Sequence, residues 1–501
     1  MSSERTSSRR ERSGSHGGNG GSRSHSRSSR RRRRGGFGLW AWLLSAILLL
    51  TLALIGGGWW LYHELGRSPG ELLDYVEHRL EGHSRFEAMA EAPIAYLRHA
   101  FDASRATDRL NAPFPVPAPP PRRGAADVLA AEPVPPGAKV WRVGRSSGAL
   151  LRIADAASQA KDGDVVEIEA GDYRGDVAVW EQKRLTIRGV DGAARLFADG
   201  RSAEGKAIWV IRHGNFDIAN IDFIGAKVDD GNGAGIRFEG GQLRLRQCLF
   251  WGNEMGLLTG GEGDAIDATL TIETSEFAYS HVQGRWGHNI YVGRIAEFSI
   301  TGSYSHHAGR GHLLKSRARS NQVLYNRLTD ETGGRASYEL DFPNGGLVRV
   351  VGNVLQQQPE TDNSTLIAYG EEGYVWPDNR LAVASNTLVN DLHYGGTYIW
   401  AAPGAASVSS ANNLLVGPGG YRAGKVLSVW NDVNAEWQDL QRPARQDYRL
   451  RQNGGRFAYR DLPEAAQREQ LVPRAQYAEP RATAALAAPP RVVGALQPAS
   501  P

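Results

Sequence analysis

The sequence predicts an all-β protein whose main domain is a parallel β-helix. From Val140 onward, short β-rich runs alternate with Gly, Asn and Asp turns, and no long helical period appears. Large apolar residues recur in this region, mostly at intervals of 27 residues. A period of this size that contains several short strands and no helix fits one coil of a stacked solenoid.

The repeat is clearest in one large apolar residue per period, which we call the anchor. Successive anchors are separated by 27, 27, 27, 24, 27, 33 and 27 residues. Asn326, Asn353, Asn386 and Asn413 each lie two residues before an anchor, so stacking of the coils predicts a structural ladder of amides about 4.8 Å apart. The anchors are Phe223, Phe250, Phe277, Tyr304, Leu328, Leu355, Leu388 and Leu415.

Composition and charge exclude several other classes of protein. The 501 residues include a single Cys and are 41% hydrophobic, which excludes a disulfide scaffold and a fully disordered chain. The net charge is +4, but residues 1–36 hold eleven Arg against two Glu, which leaves 47 basic and 52 acidic residues in the remainder. Because the body of the chain is mildly acidic, we expect no nucleic-acid partner for the folded domain.

The N-terminal region predicts a membrane anchor. No charged residue occurs between Arg34 and Glu64, and residues 37–62 are long enough to cross a membrane as one helix. Tryptophans lie near both ends of this run, and a run of five arginines precedes it directly. We expect a single-pass protein of the inner (cell) membrane, with a disordered cytoplasmic tail over 1–36 and the β-helix in the periplasm.

The remaining segments follow from composition. Residues 63–111 contain apolar residues at helical spacing and predict a short helical juxtamembrane segment. Residues 112–137 include PFPVPAPPPRR and predict a stiff, Pro-rich linker. We place the β-helix at 138–425 and a C-terminal cap and tail at 426–501.

Several motifs resemble the pectate-lyase-like right-handed parallel β-helix superfamily. They open the repeat region and close it near the C-terminus, so the resemblance covers roughly residues 140 to 495. It implies a right-handed solenoid but no single reaction, because this fold hosts lyases, hydrolases, epimerases, esterases and proteins without known activity. The motifs are AA at 156–157, DGDVVEI at 162–168, AGDY at 170–173, LTIRG at 185–189, DYRL at 447–450 and VGA at 493–495.

In each coil, one strand is predicted to present a side chain to solvent, and these side chains form an exposed, largely polar column. We align the strands that follow the anchors. Because successive side chains of a strand point to opposite sides, one residue per strand faces the interior, namely Ile290, Leu314, Leu340, Ile367 and Ile399. The outward column then contains candidate groups for holding a sugar polymer, since rings stack on sugars and charged groups bind carboxylates. The outward residues are Tyr291, Lys315, Asp341, Ala368 and Trp400, flanked by Asn289, Leu313, Glu339, Leu366 and Tyr398.

Lys315 is the main candidate for catalysis. A base held next to a uronate carboxylate could remove the neighbouring proton, and the nearby Arg317 and Arg319 predict a lowered lysine pKa. Arg317 or Arg335 could then neutralise the substrate carboxylate. The predicted partner is an acidic polysaccharide, bound through Asn289, Tyr291, His312, Tyr398 and Trp400.

The stretch from Lys315-Ser316 to Tyr325-Asn326 also resembles the alginate lyase and chondroitinase B branch of the superfamily. The resemblance implies a Lys base, matched by Lys315, followed one coil later by an Arg acid. This chain has Asp341 at the aligned position. The resemblance therefore includes the catalytic base, but this chain lacks the arginine that serves as the acid.

Other functions remain open at this stage. Glu339 and Asp341, two residues apart on one strand, could serve as the carboxyl pair of a glycoside hydrolase. A non-catalytic protein that binds a polysaccharide during envelope assembly is the third alternative. No metal site or cofactor is assigned, because the clustered histidines lack a fixed ligand spacing. They are His281, His288, His306, His307 and His312.

Overall fold

The computed structural model describes residues 113–498, apart from 261–265, 284, 362, 394, 453 and 465–469. The predicted cytoplasmic tail, membrane helix and juxtamembrane segment (1–36, 37–62 and 63–111) lie outside the described residues. Within the described ranges, no helix is both long and apolar enough to cross a membrane.

The described chain folds as a parallel β-solenoid, which confirms the predicted fold class. Each coil contributes strands to three faces, and every strand of a face pairs in parallel with its counterpart in the next coil. Two long strands, Val165–Arg174 and Arg184–Phe197, bend from face 1 into face 2 and join these faces into one sheet. Face 3 is a separate ten-stranded sheet.

The strand bounds define the three faces. Face 1 comprises Val140–Val143, Val165–Arg174, Arg184–Phe197, Gly214–Ala219, Gly241–Arg246, Thr269–Glu273, Glu297–Thr301, Ser320–Leu324, Leu347–Val351, Arg380–Ala384, Ser407–Ala411 and Leu427–Trp430. Face 2 continues from the two long strands with Ile221–Ile224, Leu249–Trp251, Glu276–Ala278, Tyr304–His306, Arg327–Thr329, Val354–Gln357, Thr387–Asn390, Leu414–Val416 and Val433–Ala435. Face 3 comprises Ala178–Trp180, Ala207–Ile211, Ala234–Phe238, Met255–Thr259, Ile290–Val292, Lys315–Ser316, Leu340–Phe342, Thr365–Tyr369, Thr397–Ala401 and Gly420–Arg422.

Short elements precede, interrupt and follow the coils of the solenoid. The helix Ile153–Gln159 buries Ile153, Ala156 and Ala157 against the first coils. Two antiparallel hairpins follow the last coil, Leu440–Arg442 with Asp447–Leu450 and Ala475–Ala478 with Ala482–Ala485. The 3-10 turns are Ala125–Asp127, Gly424–Val426, Trp437–Asp439, Pro443–Arg445 and Gly455–Phe457.

The anchors pack on one another inside face 2, as the repeat predicts. Phe223, Phe250 and Phe277 pair in register, and their rings stack at centroid distances of 4.9 and 4.4 Å. The prediction is wrong at one coil, where Ser305 rather than Tyr304 pairs with Phe277. That coil is one residue longer than the regular period, so Tyr304 moves to the outward side and pairs with Glu276.

The asparagine ladder is confirmed at the corner between faces 1 and 2. The backbone N–H of Asn326 donates to Asn353 Oδ1 at 2.8 Å, and Asn353 donates likewise to Asn386 Oδ1 at 2.9 Å. Asn386 donates to Asn413 Oδ1 at 2.8 Å, and Asn413 donates to Asp432 Oδ1 at 2.8 Å. The four amides are buried, so each one satisfies a backbone donor that water cannot reach.

The last coil extends beyond the predicted boundary at residue 425. Leu427–Trp430 pairs with Ser407–Ala411, and Val433–Ala435 pairs with Leu414–Val416. Leu427 packs against the core, but the rest of this face 1 strand is exposed, so the coil lacks the buried pattern of the earlier ones.

The Pro-rich segment does not stand free as the predicted spacer. Residues 113–136, which we call the strap, lie along the solenoid. Trp251 Nε1 donates to the carbonyl of Pro117 at 2.9 Å, and Arg123 forms an ion pair with the buried Asp222 at 2.5 Å. The strap is therefore part of the folded body.

The C-terminal segment, residues 440–498, also wraps around the solenoid. Arg481 in the second hairpin forms an ion pair with Glu276 of face 2 at 2.8 Å. The backbone N–H of Arg474 donates to Tyr325 Oη at 3.0 Å, beside face 1. The interactions named here hold the strap and this segment on faces 1 and 2, not on face 3.

We expect Asn353→Ala to lower the free energy of unfolding by about 1–3 kcal/mol, because the buried donors of Asn326 lose their acceptor. Urea denaturation of the full chain measures the change. Asn215→Ala is the control, since Asn215 is exposed on a face 1 strand. Equal effects of the two substitutions would contradict a structural role for the ladder.

Candidate functional site

The outward column of face 3 has the predicted register. Tyr291 pairs with Lys315, and Lys315 pairs with Asp341. Asp341 pairs with Ala368, and Ala368 pairs with Trp400. Parallel pairing therefore brings these five residues, which are up to 109 positions apart in the sequence, into one column. The predicted exposure is wrong for Asp341 and Ala368, which are buried.

All five residues that flank the column, Leu313 and Leu366 included, lie inside the protein rather than on the predicted exposed surface. Asn289 is buried at a corner, where its amide donates to the backbone carbonyls of Phe277 and His306. Glu339 is also buried, and Tyr398 is covered by the next turn, where its hydroxyl donates to the carbonyl of Gly417. The predicted placement of Asn289, Glu339 and Tyr398 in an open groove is corrected accordingly.

The centre of the column is a compact cluster of charges. Lys315 Nζ lies 3.0 Å from Asp341 Oδ2 and 2.9 Å from Glu372 Oε1. Arg317 binds the same Glu372 carboxylate with both ends of its guanidinium, at 2.7 and 2.9 Å. One carboxylate is thus held by two cations in a planar, forked arrangement.

Arg317 is fixed from several sides. Its Nε donates to Tyr291 Oη at 3.0 Å, and its Nη1 donates to Asn344 Oδ1 at 2.7 Å. Trp376 Nε1 donates to the backbone carbonyl of Arg317 at 3.1 Å. Asn344 is positioned by a tight turn, in which Gly345 adopts a φ of 73°. This turn therefore helps to build the site as well as reversing the chain.

Two histidines lie beneath the cluster. His312 Nε2 is 3.4 Å from Asp341 Oδ2, and the backbone N–H of His312 donates to His288 Nδ1 at 2.9 Å. Burial, followed by the nearby charges of Lys315 and Arg317, lowers the pKa of His288 to about 3. Burial also lowers the pKa of His312 well below its usual range, so both rings are neutral at physiological pH.

The protonation of Lys315 differs from the prediction. Burial acts to lower the pKa of Lys315, but the attraction of Asp341 and the hydrogen bond to Glu372 outweigh it, so the pKa is raised. The neighbouring Arg317 and Arg319 in the sequence had predicted a lowered pKa for Lys315. Lys315 is therefore a cation in this arrangement rather than a neutral amine.

The two carboxyl groups of the cluster have opposite shifts. Burial raises the pKa of Asp341 to about 7, although Lys315 acts to lower it. For Glu372, burial is outweighed by the hydrogen bonds from Arg317 and Lys315, and the pKa falls to about 2. Glu372 is thus ionised at all ordinary pH values, and Asp341 changes its charge near neutrality.

Aromatic side chains border the charged cluster. Tyr291 and Trp400 are half-buried members of the column, and Trp286 is 45% exposed. The ring of Trp286 lies 5.9 Å from His312, and the guanidinium of Arg310 lies 5.1 Å from the Trp286 ring. These rings offer apolar faces on which sugar rings can stack.

Arg335 has a different environment. Its guanidinium lies 5.8 Å from the ring centroid of Phe114 in the strap, and its backbone N–H donates to the carbonyl of Ala308. The observed contacts thus place Arg335 against the strap, and Arg317 is the arginine that accompanies Lys315.

Sequence reasoning missed the direct partners of Arg317. Glu372 and Asn344 are not among the predicted site residues. Their signal in the sequence is weak, because both lie on turns between strands and outside the repeat. The carboxylate that completes the cluster comes from a position 57 residues after Lys315.

The described residues contain no group of three or more His, Cys, Asp or Glu side chains arranged to hold a metal ion. The cluster consists of two cations, Lys315 and Arg317, paired with two carboxyl groups of the chain itself. A forked guanidinium beside an ammonium group can bind a planar carboxylate, and the bordering rings can pack against an attached sugar.

These features define the class of the molecule as a parallel β-solenoid with a cluster of paired cations and carboxylates on one face. Among solved structures, the chain is similar to the crystal structure of pectate lyase Pel9A, with 13% sequence identity and a TM-score of 0.36. The match covers 72% of this chain and 97% of that chain. No protein-family model and no curated protein matches the chain. The strand pairings themselves establish the β-helix fold that the sequence resemblance implied.

We expect Asp341 to make the free energy of unfolding decrease as the pH rises from about 4 to about 7. The native carboxyl keeps its proton up to about pH 7, whereas the unfolded one loses it near pH 4, so the native state binds more protons in this window. Asp341→Asn should flatten the slope in urea titrations at several pH values. Asp378→Asn, at an exposed site, should leave it unchanged, and an unaltered slope in Asp341→Asn would contradict the buried protonation.

Proposed function

We propose that face 3 binds an acidic polysaccharide and that Lys315 and Arg317 recognise its carboxylates. The observation that carries this proposal is the fork in which both cations hold one carboxylate, that of Glu372. A uronate carboxylate has the same planar shape and charge. Neutral sugars lack such a group and would not satisfy the two cations.

The surroundings of the charged cluster favour a polymeric ligand over a small organic acid. Face 3 runs the length of the solenoid as ten parallel strands, and its outward column continues from the cluster to Trp400. The strap and the C-terminal segment contact faces 1 and 2. An extended chain of sugars could contact this face at the half-buried Tyr291 and Trp400, while the column between Lys315 and Trp400 is covered.

The reaction we propose at this site is β-elimination. A base removes the proton on the carbon next to the uronate carboxylate, and the electron pair left behind forms a C=C bond as the neighbouring C–O bond breaks. The departing oxygen takes up a proton from water, which gives one unsaturated sugar and one new reducing end. In this scheme Arg317 binds the carboxylate and stabilises the enolate-like intermediate, and Lys315 acts as the base. Because the pKa of Lys315 is raised, only a small fraction of the amine is neutral at pH 7.

The hydrolase alternative receives less support. It requires two carboxyl groups that both reach the glycosidic bond. Glu339 is fully buried and its carboxyl oxygens have no hydrogen-bond partner in the described residues, so it does not share the surface with the cluster. Binding without catalysis remains the second candidate function, because the resting Lys315 is already paired as a cation.

We also propose that residues 37–62 anchor the chain in the cell membrane and that the β-helix acts in the periplasm. The uncharged run with tryptophans near both ends and arginines before it supports this placement. An enzyme or binding protein held in this way would meet polysaccharides as they pass through the envelope. Protease protection in intact and permeabilised cells tests the orientation.

We expect Lys315→Ala and Arg317→Ala each to raise the Kd for polygalacturonate or alginate by about tenfold or more, because each removes a charge-assisted hydrogen bond. Titration calorimetry with the full chain measures the Kd, and binding should weaken as salt rises. Arg319→Ala is the matched control, since Arg319 is exposed. Binding that is as tight for dextran, or unchanged in both cluster variants, would overturn the proposal.

If Lys315 is the base, the rate of β-elimination should increase from neutral pH to about pH 10 as the amine loses its proton. The ultraviolet absorbance of the unsaturated product measures the rate. Lys315→Ala should abolish it at every pH, and Arg319→Ala should retain it. A rate that falls with rising pH, or that survives in Lys315→Ala, would exclude this role; binding without product would favour the non-catalytic alternative.

A further inference from the structure

We infer that Glu372 occupies the carboxylate subsite of face 3 in place of the ligand, so that a uronate must displace it to bind. This inference rests on the proposed function and adds a means of regulating the same site. It also narrows the substrate class to polymers with free carboxylates, since the displacing group must match the one displaced.

The first support is the way in which Glu372 is held. Arg317 Nη2 donates to Glu372 Oε1 at 2.9 Å, and Arg317 Nη1 lies 2.7 Å from Oε2. Lys315 Nζ donates to Oε1 at 2.9 Å. A carboxylate bound by a guanidinium fork and an ammonium group is the arrangement that a substrate carboxylate would need. The subsite is therefore complete and already filled.

The second support is a difference in exposure between the partners. The side chains of Lys315 and Arg317 are 11% and 17% exposed, whereas that of Glu372 is 43% exposed. The cations belong to the body of the solenoid, and the anion approaches from the solvent side. When the Glu372 side chain is displaced, it can therefore move into solvent without any opening of the core.

The cations also keep other partners when Glu372 leaves. Arg317 retains its bonds to Tyr291 and Asn344, and Lys315 retains Asp341. Their positions therefore do not depend on Glu372. The freed subsite would present a preorganised pair of cations to a ligand.

The loop of Glu372 permits this exchange by a change of side-chain rotamer. Gly370 and Gly373 adopt φ values of 79° and 90° and form a tight turn, closed by the bond from Gly373 N–H to the Gly370 carbonyl. The backbone N–H of Glu372 donates to the carbonyl of Pro343 at 3.0 Å, which ties the loop to the solenoid. The backbone can stay in place while the flexible glutamate side chain swings into solvent.

Glu371 provides a matched comparison within the same turn. It is an exposed glutamate, and Tyr338 Oη donates to its Oε1 at 2.9 Å. It contacts neither cation in the interactions described above. Removing its charge alters the general electrostatic field of the face in nearly the same way, but leaves the subsite filled.

The test compares Glu372→Gln and Glu372→Ala with Glu371→Gln in the full chain, using polygalacturonate and its methyl ester as probes in titration calorimetry. If the open state is populated at about 10% or less, Glu372→Ala should lower the Kd for polygalacturonate about tenfold or more, with Glu372→Gln intermediate. Glu371→Gln should match the wild type. The methyl ester, which lacks free carboxylates, should gain no affinity in any variant.

The outcomes separate this inference from the function on which it rests. An unchanged or higher Kd in both Glu372 variants, with Arg317→Ala still weakening binding, would overturn the displacement and leave carboxylate recognition intact. An equal gain in Glu371→Gln would also overturn it, because charge alone would then explain the effect. If polygalacturonate and alginate fail to bind to the wild type and to both Glu372 variants, while all remain folded by circular dichroism, carboxylate recognition and displacement both fail.

Discussion

The structure depends on in-register parallel pairing between successive coils. Each strand bonds to its counterpart one coil away, so residues from distant parts of the sequence stack about 4.8 Å apart in fixed columns. A slip of one residue would turn every side chain of a strand to the other side. The interior ladder of Asn326, Asn353, Asn386 and Asn413 opposes such a slip because each amide must meet the backbone of the neighbouring coil.

Repetition made the fold and the central column predictable from sequence. The alternation of inward and outward residues correctly aligned Lys315 with Asp341 and Trp400, because those positions lie within regular strands. Prediction failed where this regularity ends. Asn289 lies at a corner where the chain turns inward, and Tyr398 is covered by a turn that the period does not describe.

The site was harder to predict than the fold because its electrostatics depend on neighbours in space. In the sequence, Lys315 is surrounded by arginines, which suggests a lowered pKa. In the structure its partners are Asp341 and Glu372, contributed by later coils, and the direction of the shift reverses. The column can be predicted from a single sequence, but the turns that cover it cannot. Glu372 lies on such a turn.

The arrangement of charges differs from what stability alone would favour. Buried ion pairs often stabilise a fold less than well-packed apolar side chains, because desolvation of the charges is costly. Here Lys315 and Arg317 bear that cost within the solenoid. Of the two carboxyl groups that compensate them, Asp341 is buried as well, whereas Glu372 lies on the solvent side. Fixed cations with an exposed, replaceable anion are instead suited to an exchange of one carboxylate for another.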